Sequence, residues 1–495
     1  MDTDRRPATY FVCQSVFIRV LAIIQLIAFA SLTVQILGLV GSGGILPAGD
    51  LLTYVQQRVG AERYWLLPTL CWINVSNAFL LGLCVGGMVL SVLLLAGVFP
   101  SLMLFLLWAF YLSLAVVCQE FLGFQWDVLL LETGFLSILY APPVRFMEQG
   151  YDTGRSRVFL WLLRWLLFRL MFSSGIVKLL SHDPTWRNLT ALQYHYFTQP
   201  LPVWISWFMN LLPAWFQKFS VVMMFASELG APFLIFCPKP FRMIGFWSIV
   251  GLQILIMLTG NYSFFNLLAL ALCLLLVEDN SWPERIRQRA VLASQRQQSR
   301  GAKQWPAWVI APVAAILLCF SILQMTITLG WRNLPGPLVM ILRRAEVFET
   351  VNRYGLFAVM TTKRSEIIVE GSDDGVHWLA YEFRYKPGDL ARHPVFIEPH
   401  QPRLDWQMWF AALDTYRASP WFVAFLERLL QGAPAVLDLL SWNPFPKHPP
   451  RYIRARMFDY HFTDWKTKSE TGNWWVRDHE RPYFPALSLS GESPP

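Results

Sequence analysis

The sequence predicts a membrane α-helical bundle, about nine transmembrane helices with interfacial helices beside them. A soluble, mostly β-sandwich-like C-terminal domain with helices follows. Three observations carry this. The 495 residues are 55% hydrophobic and only 15% charged, against about 25% charge in a soluble globular chain. Apolar runs approaching the ~20 residues that span a bilayer core recur up to residue 329. From Trp331 onward the composition turns polar and strand-like.

Taken in order, Arg5 and Arg6 precede a first apolar run that continues to about Val40. That run is longer than a signal-peptide core and lacks a clean cleavage site, so it is expected to remain as the first span, 16–37. Further spans are expected at 77–97, 100–118, 125–141, 158–180, 217–237, 242–259, 262–277 and 306–329. Segment 48–75 mixes Arg58, Glu62 and Arg63 with Tyr64, Trp65 and Leu66, which suits lying along the interface rather than crossing it. Segment 184–216 has the same character. Trp186, Tyr194, His195, Tyr196, Trp204 and Trp207 crowd a stretch broken by Pro184, Pro200 and Pro202.

Basic residues in short loops set the orientation. Counting nine spans from a cytosolic N-terminus puts Arg5 and Arg6, then Arg145, Arg155 and Arg157, then Lys239 and Arg242, on the cytosolic side. The loop with Arg285, Arg287, Arg289, Arg296, Arg300 and Lys303 joins them. The tail then lies in periplasm or ER lumen. The expected division is a membrane domain at 1–330, an extracytosolic β-rich domain at 331–490 and a flexible end at 491–495.

Within the tail, Ser365–Gly371 (SEIIVEG) is strand-like and Asp374-Gly375 is a hairpin-turn dipeptide. Leu379, Tyr381, Phe383 and Tyr385 alternate along the next strand. Helices are expected at 404–416 and 420–431, the second opened by Pro420 after Ser419. Residues 451–462 and 473–477 look extended again.

Several function classes are excluded. The net charge of +8 sits mostly beside spans, so it sets topology and does not mark nucleic-acid binding. All seven cysteines precede residue 320 and none forms a CxxC, which argues against a disulfide framework, a cysteine zinc site or a thiol oxidoreductase. No second histidine or cysteine stands at metal-ligand spacing from His195 or His182. No Walker loop, dinucleotide glycine fingerprint, GxSxG elbow or HExxH helix is present. No metal, no cofactor and no recognised catalytic apparatus are expected.

The candidate functional residues are charges inside spans: Arg19, Asp127, Glu132, Arg164, Arg169, Lys178 and Glu228. Each costs at least ~2.5–3.5 kcal/mol at a bilayer centre and must face protein or water. Arg164 and Lys178 are fourteen residues apart and share a helix face with Phe168, Met171 and Gly175. Asp127 and Glu132 point about 140° apart on a helix and form no carboxylate pair. The acids are candidate partners for Arg19, Arg164 or Arg169, either as ion pairs that hold the bundle or as a proton or substrate path. Lys178 admits three roles: a proton-transferring base, a cation snorkelling to the outer interface, or an ion-pair partner. Trp406 and Trp409 recur at helical spacing, either in the tail's core or on a surface for a client chain. Trp186, Tyr194, His195 and Tyr196 are candidates for the same client or interfacial surface.

Certain segments together resemble the lipase maturation factor family. They are WDVLLLETGF (126–135), FRLMFSSGIVKL (168–179), TALQYHYFTQPLP (190–202), LTGNYSFFNLL (258–268), VNRYGLFAVMTTKRSEIIVEGSDDG (351–375), PRLDWQMWFAAL (402–413) and NPFP (443–446). They run in order through almost the whole chain. The resemblance implies a multi-span membrane protein that assists newly made secreted lipases to reach their folded, dimeric form. Membrane lipids and secreted, lipase-like clients are the implied partners. Eukaryotic members act in the ER, and the short tail without cysteines also fits a bacterial inner-membrane member. Gly175–Leu179 (GIVKL) followed by Trp186 is similar, more distantly, to the horizontal transmembrane segment of the vitamin K-dependent γ-carboxylase superfamily. That likeness implies Lys178 as a catalytic base on a lipid-soluble cofactor or translocated chain. A maturation factor without enzyme activity and a membrane enzyme are therefore the competing expectations, with a transporter behind them.

Overall fold

The structure, a computed structural model, describes residues 9–147, 156–288, 292, 295, 304–331 and 335–490. Arg5, Arg6, Arg155, Arg289, Arg296, Arg300, Lys303 and the end 491–495 lie outside the described residues. The bundle contains α1 (Phe11–Thr33), α2 (Asn77–Leu95), α3 (Pro100–Val117), α4 (Gln125–Tyr140) and α5 (Ser156–Leu180). It continues with α6 (Ala214–Phe225), α7 (Lys239–Thr259), α8 (Phe265–Leu274) and α9 (Ala307–Thr328). Their starts follow local chemistry. Ser76 caps α2 by accepting from the Phe79 amide. Pro100 and Pro240 occupy first-turn positions where no amide donor is needed.

Six of these helices, α1, α2, α3, α5, α7 and α9, are long and apolar enough to cross a membrane, and the chain is a multi-pass membrane protein. The other three expected spans fall on shorter or broken pieces. α4 has 16 residues, about 24 Å at 1.5 Å per residue, and Pro142 and Pro143 stop it from continuing. α6 runs into a π-helical turn, Ala226–Gly230, before a last α-turn, Ala231–Leu234. α8 has only 10 residues.

Two ends of the bundle are defined by contacts. At one, Asp279 accepts from the Phe11 and Val12 amides, Ser101 and Trp305 donate to the Ala141 carbonyl, and Arg242 donates to the Leu276 carbonyl. At the other, Ser31 meets His400, Gln35 donates to the Gln401 carbonyl, Ser206 donates to the Thr259 carbonyl and Asn261 donates to the Val395 carbonyl. The tail packs on this second end.

The tail carries an antiparallel sheet of four strands, in order β2-β1-β5-β6. These are β1 (Arg364–Ser372), β2 (Leu379–Ala380), β5 (Tyr452–Phe462) and β6 (Trp475–Leu487). A separate two-stranded sheet pairs β3 (Glu382–Phe383) with β4 (Leu440–Trp442). β1 and β5 are in register from Arg364 opposite Tyr460 to Ser372 opposite Tyr452. Alternation sends Ile367, Val369, Met457 and Ala455 to one face and Ile368 and Phe458 to the other. The first face joins helices α10 (Arg403–Ala411) and α11 (Pro420–Leu430) in an apolar core continuous with that of the bundle. The second face meets Phe197 of the interfacial segment, with Tyr460 and Trp475 beside it.

Candidate functional site

The site begins with a glycine and an irregular turn. Gly175 lies on α5 where a Cβ would sit 2.7 Å from Leu229 Cδ2 and 3.0 Å from Glu228 Cβ. Its bare backbone lets α5 approach the π turn closely. Three residues further, Lys178 Nζ donates to both oxygens of Glu228, at 2.8 and 2.6 Å. Both residues are about 5% exposed, so Lys178 does not snorkel to the interface. The π turn is what offers Glu228 to it, in keeping with the use of such turns at functional positions. The Trp186 ring covers the ammonium, its centroid 5.4 Å from Nζ.

His195, on the short helix Leu192–Thr198, stands nearby with a fixed tautomer. Gln199 Nε2 donates to the Thr259 carbonyl and to Ser206, so its Oε1 is the acceptor. The Tyr262 hydroxyl lies 2.9 Å from that oxygen and must donate to it. It therefore accepts from His195 Nε2, 3.2 Å away. His195 carries its proton on Nε2 and presents Nδ1 as an acceptor. Burial, with the Lys178 charge nearby, pushes its imidazole down to about 4 and keeps it neutral.

These groups line a cavity of about 230 Å³. Its remaining walls are mostly apolar, with Leu170 and Met171 from α5, Phe216 and Met224 from α6, and Leu252, Leu255 and Ile256 from α7, interrupted by Ser174, Ser220, Gln253 and Thr259. α7 packs on Ala231–Leu234, and α6 packs on the helix Leu192–Thr198. Leu255 is 59% exposed and looks outward from the bundle.

Other predicted charges find other partners. Arg169 pairs with Glu132, and Glu132 also accepts from the Asn352 amide at 2.8 Å and the Tyr354 hydroxyl at 2.7 Å. Asp127 does not meet a cation of the bundle. It is clamped by Arg403 of the tail, Nη1 at 2.5 Å and Nη2 at 2.8 Å, with the Tyr111 hydroxyl donating at 2.6 Å. Among the described residues, Arg164 reaches no acid either. It donates twice to the Leu275 carbonyl and lies 4.7 Å over Tyr10. Arg19 donates to the Ser15 and Met147 carbonyls. Among the described residues, Glu132–Arg169, Asp127–Arg403 and Lys178–Glu228 are separate locks.

Of the aromatic candidates, Trp406 and Trp409 take the core position, one of the two expected for them, and the candidates of 184–216 lie between bundle and tail rather than exposed. Trp186, Tyr196, Trp406 and Trp409 are buried, and Tyr194 and His195 half-buried. Two of the indole N–H groups are claimed across the interface. Trp186 donates to the Phe357 carbonyl and Trp409 to the Thr198 carbonyl. Trp406 packs edge-on to Trp126 at 4.7 Å. Sequence reasoning missed Arg364, which donates to the carbonyls of Phe197, Gln199 and Pro200 and pairs with Glu366 at 2.6 Å, Lys386 completing the triad. It also missed Arg403, although the adjoining Asp405 and tryptophans marked that helix. Among the described residues, Asp459, Asp478 and His479 lie close enough to share an ion, but Arg481 already occupies Asp459 and two of the three are exposed.

Comparison with known proteins matches both halves. The model of the lipase maturation factor transmembrane domain matches residues 12–284, and that of the lipase maturation factor C-terminal domain matches 350–485. The chain belongs to the lipase maturation factor family. Lipase maturation factor 2 of Xenopus tropicalis is 38% identical over 96% of this chain and 82% of its own length. The human lipase maturation factor 2 is 36% identical over the same shares. Human lipase maturation factor 1 is 33% identical over 97% of this chain and 88% of its own. No solved structure matches. The two matched regions of the family are the two parts that Asp127–Arg403 and Glu132–Asn352 tie together here. Nothing in the comparisons supports the γ-carboxylase alternative, and Lys178 is held as a paired cation.

Proposed function

We propose that this chain is a membrane-embedded maturation factor that helps secreted, lipase-like proteins fold and assemble, acting through its tail on the extracytosolic side. The carrying observation is the family match over 96% of the chain, through bundle and tail alike, to relatives named for lipase maturation. The contacts at the two ends of the bundle support nine crossings: α1 to α5, the α6 segment, α7, α8 and α9 alternate in direction. That alternation, with Arg242, Arg285 and Arg287 at or beyond the end opposite the tail, supports a periplasmic or ER-lumenal tail. A 1–330 membrane domain and a 331–490 tail domain remain our working division. With the tryptophans buried, the client surface is proposed on exposed tail residues instead: Phe410, Leu413 and Trp442.

Photocrosslinking residues at Phe410, Leu413 and Trp442 are expected to capture a co-expressed secreted lipase. Equal capture at Glu284, on the side assigned to the cytosol, would overturn the reading. A single cysteine at Val376, which is exposed, should label with a membrane-impermeant maleimide from the extracytosolic side. Protection there until the membrane is opened would reverse the topology.

A further inference from the structure

The cavity at Lys178, Glu228 and His195 has the properties of a ligand site that the maturation reading does not use. Its volume of about 230 Å³ falls just below the roughly 300–1,000 Å³ of pockets that enclose a whole drug-sized ligand. It suits one end of a longer molecule. The walls that α6 and α7 give it are mostly hydrocarbon, Phe216 and Met224 facing Leu252, Leu255 and Ile256, with Ser220, Gln253 and Thr259 among them. Leu255 belongs both to the cavity wall and to the outward surface of α7. α7 is among the helices long and apolar enough to cross a membrane. A lipid chain can therefore lie between α6 and α7 with its far end in the bilayer.

The polar end defines the head group. Lys178 and Glu228 neutralise each other, so no net charge awaits an anionic or cationic head, and a desolvated phosphate would be left without a dedicated counter-ion. Two of the three Lys178 N–H groups go to Glu228, and the third has no partner among the described residues. His195 Nδ1 is an acceptor with no hydrogen-bond partner among the described residues, its tautomer set by the chain from Gln199 through Tyr262. Gln253, 4% exposed and lining the cavity, has an amide oxygen with no hydrogen-bond partner. A buried polar atom left unpaired, as Gln253 Oε1 is, calls for an explanation. A hydroxyl answers both sides, since it donates to a ring nitrogen or amide oxygen and accepts from an ammonium.

We propose that this cavity binds an uncharged lipid bearing a free hydroxyl, of the mono- or diacylglycerol type, with its head among Lys178, His195 and Gln253 and its chain leaving between α6 and α7. The site needs only that these helices border the bilayer, and it stands whether or not secreted lipases are the clients.

The test uses the full chain in nanodiscs and a monoacylglycerol carrying a diazirine on its acyl chain. Peptide mapping is expected to place the adduct on Met171, Met224, Leu252 or Ile256, with labelling suppressed by unlabelled monoolein and not by phosphatidylcholine. Leu252→Trp, which fills the cavity without touching the ion pair, should cut labelling at least tenfold. His195→Phe removes one neutral hydrogen bond to the lipid, of about 1 kcal/mol, along with the donation to Tyr262. It should weaken monoolein competition by about fivefold while labelling still maps to the cavity. Equal labelling by a diazirine phosphatidylcholine, suppressed equally by either lipid, would show bulk bilayer contact and overturn the proposal. Labelling by phosphatidylglycerol alone would overturn the uncharged head. Adducts confined to the outer faces of α2 or α9 would remove the site altogether.

Discussion

Replacing Arg403 by methionine should undo the seating of the tail on the bundle. The guanidinium is 1% exposed and the Asp127 side chain fully buried. Methionine keeps the length of the stem but withdraws two charge-assisted hydrogen bonds, at 2.5 and 2.8 Å. The carboxylate is left with the Tyr111 hydroxyl as its remaining side-chain donor. Breaking a buried pair from one side costs about 3–5 kcal/mol. At 1.36 kcal/mol per tenfold, that is about two to three and a half orders of magnitude in the ratio of docked to undocked tail. The assay is the thermal unfolding midpoint of the purified full chain in detergent, read beside the rate at which trypsin cleaves the tail. Arg403→Met should lower the midpoint by many degrees and speed cleavage. Arg403→Met with Asp127→Asn should recover most of the loss, because asparagine still accepts from Tyr111 and no buried charge remains. A single variant that unfolds like the parent, or a double variant no better than the single, would refute the claim that this pair locks the two parts.

Lys178→Met should lower membrane accumulation by stranding Glu228. Lys178→Arg should retain more, and Lys178→Met with Glu228→Gln should recover it. A stable Lys178→Arg protein as inactive as Lys178→Met would instead indicate proton transfer. Gly175→Ala places a methyl 2.7 Å from Leu229 Cδ2, and overpacking of this kind costs about 1–3 kcal/mol. The thermal midpoint should fall, and Leu229→Ala should restore part of it. Glu398 sits where burial pushes its carboxyl up to about 8, although the Tyr262 amide donates to it. Its unfolded value is about 4.3, so the folded state holds the extra proton between these limits. The resulting stability is fully present below about pH 4.3 and is lost as pH rises through about 8. The midpoint of the parent should drop more than that of Glu398→Gln between pH 5.5 and 8.5, and parallel curves would remove Glu398 from the account.

The sequence by itself determined that this is a multi-pass membrane protein with a strand-bearing tail, because hydrocarbon thickness and side-chain alternation act over short windows. It also showed which charges had to be explained: Glu132, Arg169, Lys178 and Glu228 were legible as costly in a span, and two of their pairings are mutual. Quoted motifs sufficed for the family. What the tertiary structure decided is where each charge goes. Asp127 meets Arg403 across 276 residues of chain, and no periodicity reports a contact at that separation. The breaks within the expected spans, the π turn above all, were also hidden, since hydropathy averages over a turn whose extra residue presents Glu228 to Lys178. The aromatic residues of 184–216 and of α10 carry the same amphipathic signal whether they face lipid, a client or each other. Only packing chose the last, because it buries rings from both segments, with Trp186 and Trp409 donating to carbonyls across the interface.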